Sequence, residues 1–154
     1  MCIRDSHSHI DHFGGINGVI SEESVAAGEV DIIAPEGFYE SAISENILAG
    51  NAMTRRSMYM FGTLLPTGPS GFIGNGLGQA ISVGTYGILK PTLTIRETGQ
   101  RLNIDGVEII FQNTPGAEAP AECMFYFPKY KAFCQAEEIN HCLLYTSPSP
   151  RDRG

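Results

Sequence analysis

The chain has 154 residues, enough for one domain of ordinary size and too few for two well-packed ones. Hydrophobic residues make up 42% of the chain and charged residues 18%, which favours a globular core and disfavours intrinsic disorder. The formal net charge of −7 disfavours nucleic acid as the main partner. No apolar run approaches the roughly 20 residues of a membrane span, so no transmembrane segment is expected.

Both ends of the chain resemble translated sequencing-library adaptor. One DNA string can encode residues 1–5. When two bases are added to it and it is reverse-complemented, the opposite strand encodes residues 142–146 in another reading frame. A protein has no physical reason to begin and end with opposite-strand translations of one string. We therefore expect residues 1–6 and 142–154 to be adaptor artefact and exclude them from fold prediction. Residues 7–141 are expected to be part of a longer protein's catalytic domain, and a natural short N-terminus with a Pro/Ser tail is the alternative.

The first half of the remaining segment is predicted to be largely helical. Residues 7–15 read as a polar loop that ends in glycines, and residues 16–28 as a short helix that ends near Gly28. A buried strand over residues 30–34 is expected to stop at Pro35. A long helical stretch over residues 35–61 follows, with Pro35 in its first turn.

The second half is predicted to be glycine-rich loop and then strands. Residues 63–90 are dominated by Gly and Pro and contain no convincing helix. Strand-like runs follow at residues 92–96, 102–104, 107–113, 123–127 and 131–135. Asp105-Gly106 between two of these runs is typical of a tight hairpin. The pattern predicts a layered α/β fold with a partly antiparallel sheet, in which Cys123 and Cys134 are small core residues rather than a disulfide pair.

A histidine-rich cluster at the start of this segment predicts a metal centre. His7, His9, Asp11 and His12 place four potential ligands within six residues. Alternate residues of an extended segment point the same way, so His7 and His9 can bind one ion together. A turn that uses the glycines at 14 and 15 would carry Asp11 and His12 to a second ion. Imidazole with carboxylate suits zinc, and the alternative is a chance cluster on a flexible end.

The motif His-x-His-x-Asp-His followed by Phe-Gly-Gly resembles the signature of the metallo-β-lactamase superfamily. Glu118, in Thr-Pro-Gly-Ala-Glu, and Glu137, in Phe-Cys-Gln-Ala-Glu, stand where most members have a histidine and an aspartate. That replacement is similar to the alkyl sulfatase branch, and further similarity runs through residues 33–38, 45–53 and 64–66. The resemblance implies a metallo-β-lactamase αββα sandwich, here truncated at both ends.

The resemblance also implies a site and a reaction. One zinc ion would be held by His7, His9 and Glu118, and a second by Asp11 and His12, with Glu137 near or between the ions. Asp11 and Glu137 would be the catalytic residues. A further histidine ligand and the basic residues that hold sulfate occur downstream in the family, beyond the end of this sequence. The implied reaction is hydrolysis of alkyl sulfate esters, such as dodecyl sulfate, to alcohol and sulfate by metal-activated water.

Each acidic residue also has a simpler interpretation. Glu118 follows a Pro-Gly turn and can be a solvated loop residue. Glu137 and Glu138 can be an acidic pair at a helix start, although Glu137 directly follows a strand and is preferred as the ligand. Glu122 is expected either behind the ligands or on the surface, and His141 on a helix surface.

The glycine-rich loop over residues 68–78 has a default interpretation as irregular surface loop. A sharper hypothesis is that Phe72, Ile73 and Leu77 line the approach for an alkyl chain, and that Tyr86 donates a hydrogen bond to substrate. The same loop nearly matches the Gly-x-Gly-x-x-Gly motif of dinucleotide-binding sites. The match is weak evidence for such a site, because no strand precedes the loop. Arg55 and Arg56 are expected to face solvent.

Three other functional interpretations stay open at this stage. The chain can derive from another hydrolase of the superfamily acting on esters, thioesters or phosphodiesters, from a binding module without turnover, or from an inactive truncated fragment. A homodimer is one assembly considered for the full-length protein. A bacterial periplasmic or secreted location is plausible for it, and any signal peptide would lie upstream of residue 7.

Overall fold

A computed structural model describes residues 2–4, 6–74, 78–79 and 84–138. Four α-helices and seven strands occur in this part of the chain. The helices are α1 (Ile10–Phe13), α2 (Glu22–Ala26), α3 (Phe38–Ile43) and α4 (Gly50–Phe61). The strands are β1 (Cys2–Arg4), β2 (Asp31–Pro35), β3 (Leu93–Ile95), β4 (Arg101–Ile104), β5 (Val107–Asn113), β6 (Cys123–Phe127) and β7 (Ala132–Cys134).

The strands form two sheets of different type. In the first sheet β2 lies between β1 and β3, and both pairings are parallel. The second sheet has the order β4-β5-β6-β7, and all its pairings are antiparallel. The described residues therefore contain the mixed helix-and-sheet fold that the sequence predicted, with its antiparallel part in the second half.

The side chains of β2 show how the layers are stacked. Ile33 packs in one core cluster with residues of the second sheet, including Ile109 and Phe111. Its neighbours Ile32 and Ala34 point to the opposite face and pack in clusters that contain residues of the helical first half. Because successive strand residues point to opposite faces, β2 is covered on both sides. The order of layers is helices, first sheet, second sheet.

The helical predictions need corrections, the first of which is α1, since it lies within the predicted polar loop over residues 7–15. Residues 16–28 do not form one helix: a 3₁₀ turn (Ile16–Gly18) is separated from α2, because Ser21 is extended and its hydroxyl accepts from Ser24 N as an N-cap. The strand ends at Pro35 as predicted, but Pro35 is its last residue, paired with Ile95, rather than part of a helix; the backbone N–H of Glu36 then donates to the Ile95 carbonyl. The long helix therefore begins at Phe38 rather than at residue 35.

The helical stretch over residues 38–61 is also not uniform. A π-helical segment (Ser44–Leu48) separates α3 from α4. Ala49 then leaves the helical region of backbone space, with φ −96° and ψ 4°, before α4 begins. Arg55 and Arg56 on α4 are exposed, as predicted.

All six predicted strands are present as β2 to β7, and β5 and β6 have the predicted bounds. Asp105 and Gly106 both have positive φ, of 50° and 79°, as a type I′ hairpin turn requires. Cys123 is buried in the core as predicted. The prediction for Cys134 is wrong: it is exposed, because β7 is the edge strand of the second sheet and all three of its residues face solvent.

Part of the N-terminal segment that was left out of the fold prediction forms a strand of the first sheet. The backbone of Cys2–Arg4 forms β1 beside β2, although residues 1–6 resemble adaptor. Backbone pairing needs no particular side chains, so the pairing does not bear on the origin of this segment, and its interpretation as adaptor stays a prediction.

In the described part of the chain, no helix is long and apolar enough to span a bilayer.

Ile109 and Ile110 test the stacking of the two sheets. Ile109 is fully buried between the sheets, whereas Ile110 lies on the opposite face of β5 and is only half-buried. We expect Ile109→Val to lower the free energy of unfolding by about 1 kcal/mol and Ile110→Val by less than half of that. Urea unfolding of both variants measures this, and equal losses would contradict the stacking.

Candidate metal centre

The histidine segment is held by backbone contacts at both ends. Ser6 accepts from Cys123 N at 2.8 Å, and His7 forms an isolated antiparallel bridge with Glu122. The chain then turns into α1 directly after His9, and α1 is anchored by Phe13, whose ring packs edge-on against the Phe38 ring of α3. The turn that separates His7 and His9 from the next ligands is thus made by α1. The predicted turn at Gly14 and Gly15 comes later, after Asp11 and His12 have been placed.

The ring of His7 is oriented by its neighbours. Its side chain is fully buried, and its Nδ1 lies 2.9 Å from the Ser6 hydroxyl. Its Nε2 is buried and makes no hydrogen bond within the described residues. A buried imidazole nitrogen without a partner is costly unless a donor or a cation faces it. The ring therefore presents one unsatisfied nitrogen to the centre of the cluster.

Two loops of the second sheet bring carboxylates to these rings. The loop between β5 and β6 carries Glu118, whose Oε2 lies 3.2 Å from Nδ1 of His9. Glu137 follows β7, and its two oxygens face different rings. Its Oε2 lies 3.4 Å from His7 Nε2 and 3.8 Å from His9 Nδ1, whereas its Oε1 lies 3.2 Å from His12 Nε2.

All six sequence-predicted site residues come together in two groups of potential ligands. In each group the ligand atoms lie within 4.8 Å of one another. The first group contains His7, His9, Glu118 and Glu137, and the second contains Asp11, His12 and Glu137. Glu137 belongs to both groups, and its neighbour Glu138 belongs to neither.

The separations within the two groups fit a small divalent cation. Tetrahedral ligands about 2.0–2.1 Å from an ion are about 3.3 Å from one another. The observed nitrogen-to-oxygen separations in the first group run from 3.2 to 3.8 Å, and those in the second are 3.2 and 3.6 Å. The buried Nε2 of His7, which makes no hydrogen bond within the described residues, and the donor types agree with this fit, so the residues are suited to hold two cations with a shared carboxylate.

The charge balance of the cluster also favours cations. Partial desolvation raises the pKa of Glu118, and the nearby carboxylates of Glu137, Glu122 and Glu45 raise it further, against the opposing effect of His9. No lysine or arginine in the described residues forms an ion pair with these carboxylates. Bound cations would relieve the repulsion that the carboxylates exert on one another.

Two further carboxylates belong to the cluster, and sequence reasoning missed one of them, Glu45. Glu122 was expected either behind the ligands or on the surface, and it lies behind them, 1% exposed with its Oε1 3.9 Å from His7 Nδ1. A lone charge between Ala121 and Cys123 at the start of a buried strand was the available signal. Glu45 reaches to 3.9 Å from His9 Nε2, and it does so from the π-helical segment, which no periodicity in the sequence indicated.

The remaining sequence candidates are less informative. Ile73 is exposed and Phe72 half-buried, while Leu77 and His141 lie outside the described residues, so the alkyl-chain hypothesis stays a prediction. Tyr86 lies beside the end of α1, since Gly87 N donates to the Gly14 carbonyl. Its ring is exposed, and the hydrogen bond to substrate proposed for it stays a prediction.

His7 makes the stability of the metal-free chain depend on pH. Burial, followed by the nearby His12 and His9, lowers the pKa of His7 from 6.5 to about 4. Between these values the unfolded state binds more protons than the folded state, so stability is lost as the pH falls from 6.5 to 4. We expect His7 to account for a loss on the order of 2 kcal/mol. Urea unfolding with chelator at pH 7 and pH 4.5 measures it against His7→Gln, and an equal pH effect in both proteins would contradict the assignment.

Comparison with known proteins gives a consistent relationship. No family model matches the chain. It is 48% identical over 136 residues to the alkyl/aryl-sulfatase BDS1 of Saccharomyces cerevisiae, covering 88% of this chain and 21% of that protein. It is 49% identical over 138 residues to a linear primary-alkylsulfatase of a Pseudomonas species, covering 90% and 20%. The chain thus spans about a fifth of the length of these curated relatives.

A solved structure agrees with these relatives. The stereoselective inverting sec-alkylsulfatase Pisa1 from a Pseudomonas species superposes with a TM-score of 0.79 at 43% identity. The match covers 86% of this chain and 21% of that one. At this identity the shared backbone reflects common descent, and the resemblance to the alkyl sulfatase branch is confirmed. By sequence and by fold over the matched residues, this chain is a relative of the alkylsulfatases.

Proposed function

We propose that the protein to which this chain belongs hydrolyses alkyl sulfate esters at a zinc centre built from the two ligand groups. The observation that carries the proposal is the shared carboxylate of Glu137, one oxygen of which faces His7 and His9 while the other faces His12. A carboxylate with one oxygen toward each ligand group is the arrangement expected of a two-metal site. The relationship to alkylsulfatases supports the substrate class.

We assign the residues of this chain separate tasks in that reaction. His7, His9 and Glu118 would hold one zinc ion, Asp11 and His12 the other, and Glu137 both. Zinc when bound supplies Lewis-acid chemistry, which lowers the pKa of water and polarises sulfate oxygens. The carboxylate of Asp11 is two-thirds exposed and lies 3.6 Å from His12 Nε2. It is therefore available both as a ligand and as an acceptor for a proton released at the solvent side.

The charge of the cluster limits what these residues do alone. Five carboxylates meet here, those of Asp11, Glu45, Glu118, Glu122 and Glu137. Two divalent cations would bring their formal charge close to zero rather than to a positive value. Binding of an anionic sulfate ester therefore requires cationic groups in addition to these residues. We accordingly expect this chain to bind zinc more readily than it binds or hydrolyses a sulfate ester.

The layer order supports the fold that the family resemblance implied. The sequence of helices, first sheet and second sheet corresponds to three layers of an αββα sandwich. Tyr126 and Phe133 lie on the outer face of the second sheet with partly exposed rings, where the fourth layer would pack. We propose the metallo-β-lactamase sandwich for the full-length protein on this basis.

Glu137 and Glu118 test the two-metal arrangement. We expect Glu137→Gln to weaken zinc binding at both groups, because its carboxylate serves both, and Glu118→Gln to weaken only the first. Titration calorimetry and zinc content after dialysis measure the two losses, each expected to be at least about 10-fold. Glu108→Gln, which removes an exposed carboxylate paired with Arg101, is the matched control. Identical effects of Glu137→Gln and Glu118→Gln would contradict a shared ligand.

Sulfate release tests the reaction. The zinc-loaded full-length protein is incubated with dodecyl sulfate, and with carboxylic ester and phosphodiester substrates in parallel, and this chain is assayed beside it. Release of sulfate from dodecyl sulfate alone is expected of the full-length protein, whereas this chain is expected to bind zinc with little or no sulfate release. Turnover of only the other substrates would indicate a different hydrolase of the superfamily, and a full-length protein that binds zinc without any turnover would contradict the proposed function.

A further inference from the structure

Glu122 is a buried carboxylate that belongs to neither ligand group, yet contacts the segments that carry both. It is 1% exposed, and the apolar residues Ala119, Ala121 and Cys123 around it are equally buried. We propose that Glu122 is a positioning residue that sets the places of Glu118 and Glu137 relative to His7. The inference rests on the proposed zinc centre and adds a residue that acts through the ligands rather than on the metal.

The two carboxylate oxygens of Glu122 serve two different loops. Oε2 accepts from the backbone N–H of Ala119, the residue after Glu118, at 3.3 Å. Oε1 accepts from the backbone N–H of Glu137 itself, also at 3.3 Å. One side chain therefore joins the β5–β6 loop to the segment after β7, across 15 residues of sequence. The separation of the two acidic side chains depends on this link.

The backbone of Glu122 makes the third connection, to the histidine segment. Glu122 pairs with His7 in the antiparallel bridge, and the backbone N–H of the next residue, Cys123, donates to the Ser6 carbonyl. Its own carbonyl accepts from Thr114 N at 2.9 Å, which closes the base of the loop that carries Glu118. A single residue thus connects the segments of three ligands.

Stability alone does not explain a charge at this position. A buried carboxylate with two long backbone hydrogen bonds and anionic neighbours is costly, and an apolar side chain of similar size would pack with less penalty. The segment after β7 is itself strained, because Ala136 has φ +52° in the left-handed region. The bond from Glu137 N to Glu122 helps to hold that conformation. We infer that the arrangement persists because it places ligands.

Two substitutions separate position from charge. Glu122→Gln keeps the volume but turns one oxygen into an NH₂ group, so only one of the two backbone N–H groups retains an acceptor. Glu122→Asp keeps the charge and both oxygens but is one methylene too short to reach both loops. We expect each variant to bind zinc about 10- to 100-fold more weakly. We also expect the visible absorption of the Co²⁺-saturated protein to change, because displaced ligands alter the coordination geometry.

The controls distinguish placement from general loss of stability. Ile109→Val lowers stability without contacting the site, and Glu108→Gln makes the same chemical change at an exposed position. Both are expected to retain wild-type zinc affinity and the wild-type Co²⁺ spectrum. A third measurement needs no variant: the amides of Ala119 and Glu137 should exchange slowly with solvent in the metal-free wild-type chain.

The outcomes separate this inference from the proposed function. Wild-type zinc affinity in Glu122→Gln or Glu122→Asp would overturn the positioning role while leaving the zinc centre intact. An unchanged Co²⁺ spectrum in the Glu122 variants, or an equal loss of zinc affinity in Ile109→Val, would show that Glu122 supports only the stability of the fold and does not position the ligands. If the variants do not fold, fast exchange of the two amides overturns the inference. Failure of the wild-type chain to bind zinc would instead remove the proposed function, and this inference with it.

Discussion

Mutual repulsion among carboxylates is the constraint on which the rest of this structure depends. Acidic side chains from four separate segments converge on three imidazoles, and one ring nitrogen, His7 Nε2, is buried without a hydrogen bond within the described residues. Such a cluster is unfavourable unless cations occupy it or the backbone holds it open. In the metal-free chain the second condition is met, since backbone N–H groups and a backbone bridge hold the ligand segments in place.

The two sheets provide the rigid base for those segments. The buried cluster around Ile109 and Phe111 fixes the second sheet against β2, and the loops that carry Glu118 and Glu137 emerge from β5 and β7. The histidine segment is bonded to the start of β6 between these two strands. Carboxylates and imidazoles that are more than 100 residues apart in sequence therefore meet at one edge of a packed structure.

The helical layer contributes through an irregularity rather than through a regular face. The π-helical segment between α3 and α4 brings Glu45 to within 3.9 Å of His9 Nε2, while Nδ1 of the same ring faces Glu118. At 3.9 Å the two atoms are too far apart for a hydrogen bond, so Glu45 adds negative charge on the outer side of the His9 ring. Such single-turn π segments are frequent at functional sites, and here the extra backbone residue changes the direction in which one side chain points.

The sequence by itself predicted which potential ligands lie together and where most of the strands run. The spacing of His7, His9, Asp11 and His12 predicted the ligand cluster, and strand-like runs with a hairpin dipeptide predicted β4, β5 and β6, because both patterns depend on neighbours along the chain. Only the tertiary structure decided what lies behind the ligands. It buried Glu122, brought Glu45 to His9 and exposed Cys134 on an edge strand. These outcomes depend on how loops and sheets meet in space, and local sequence carries no record of contacts between residues far apart in the chain.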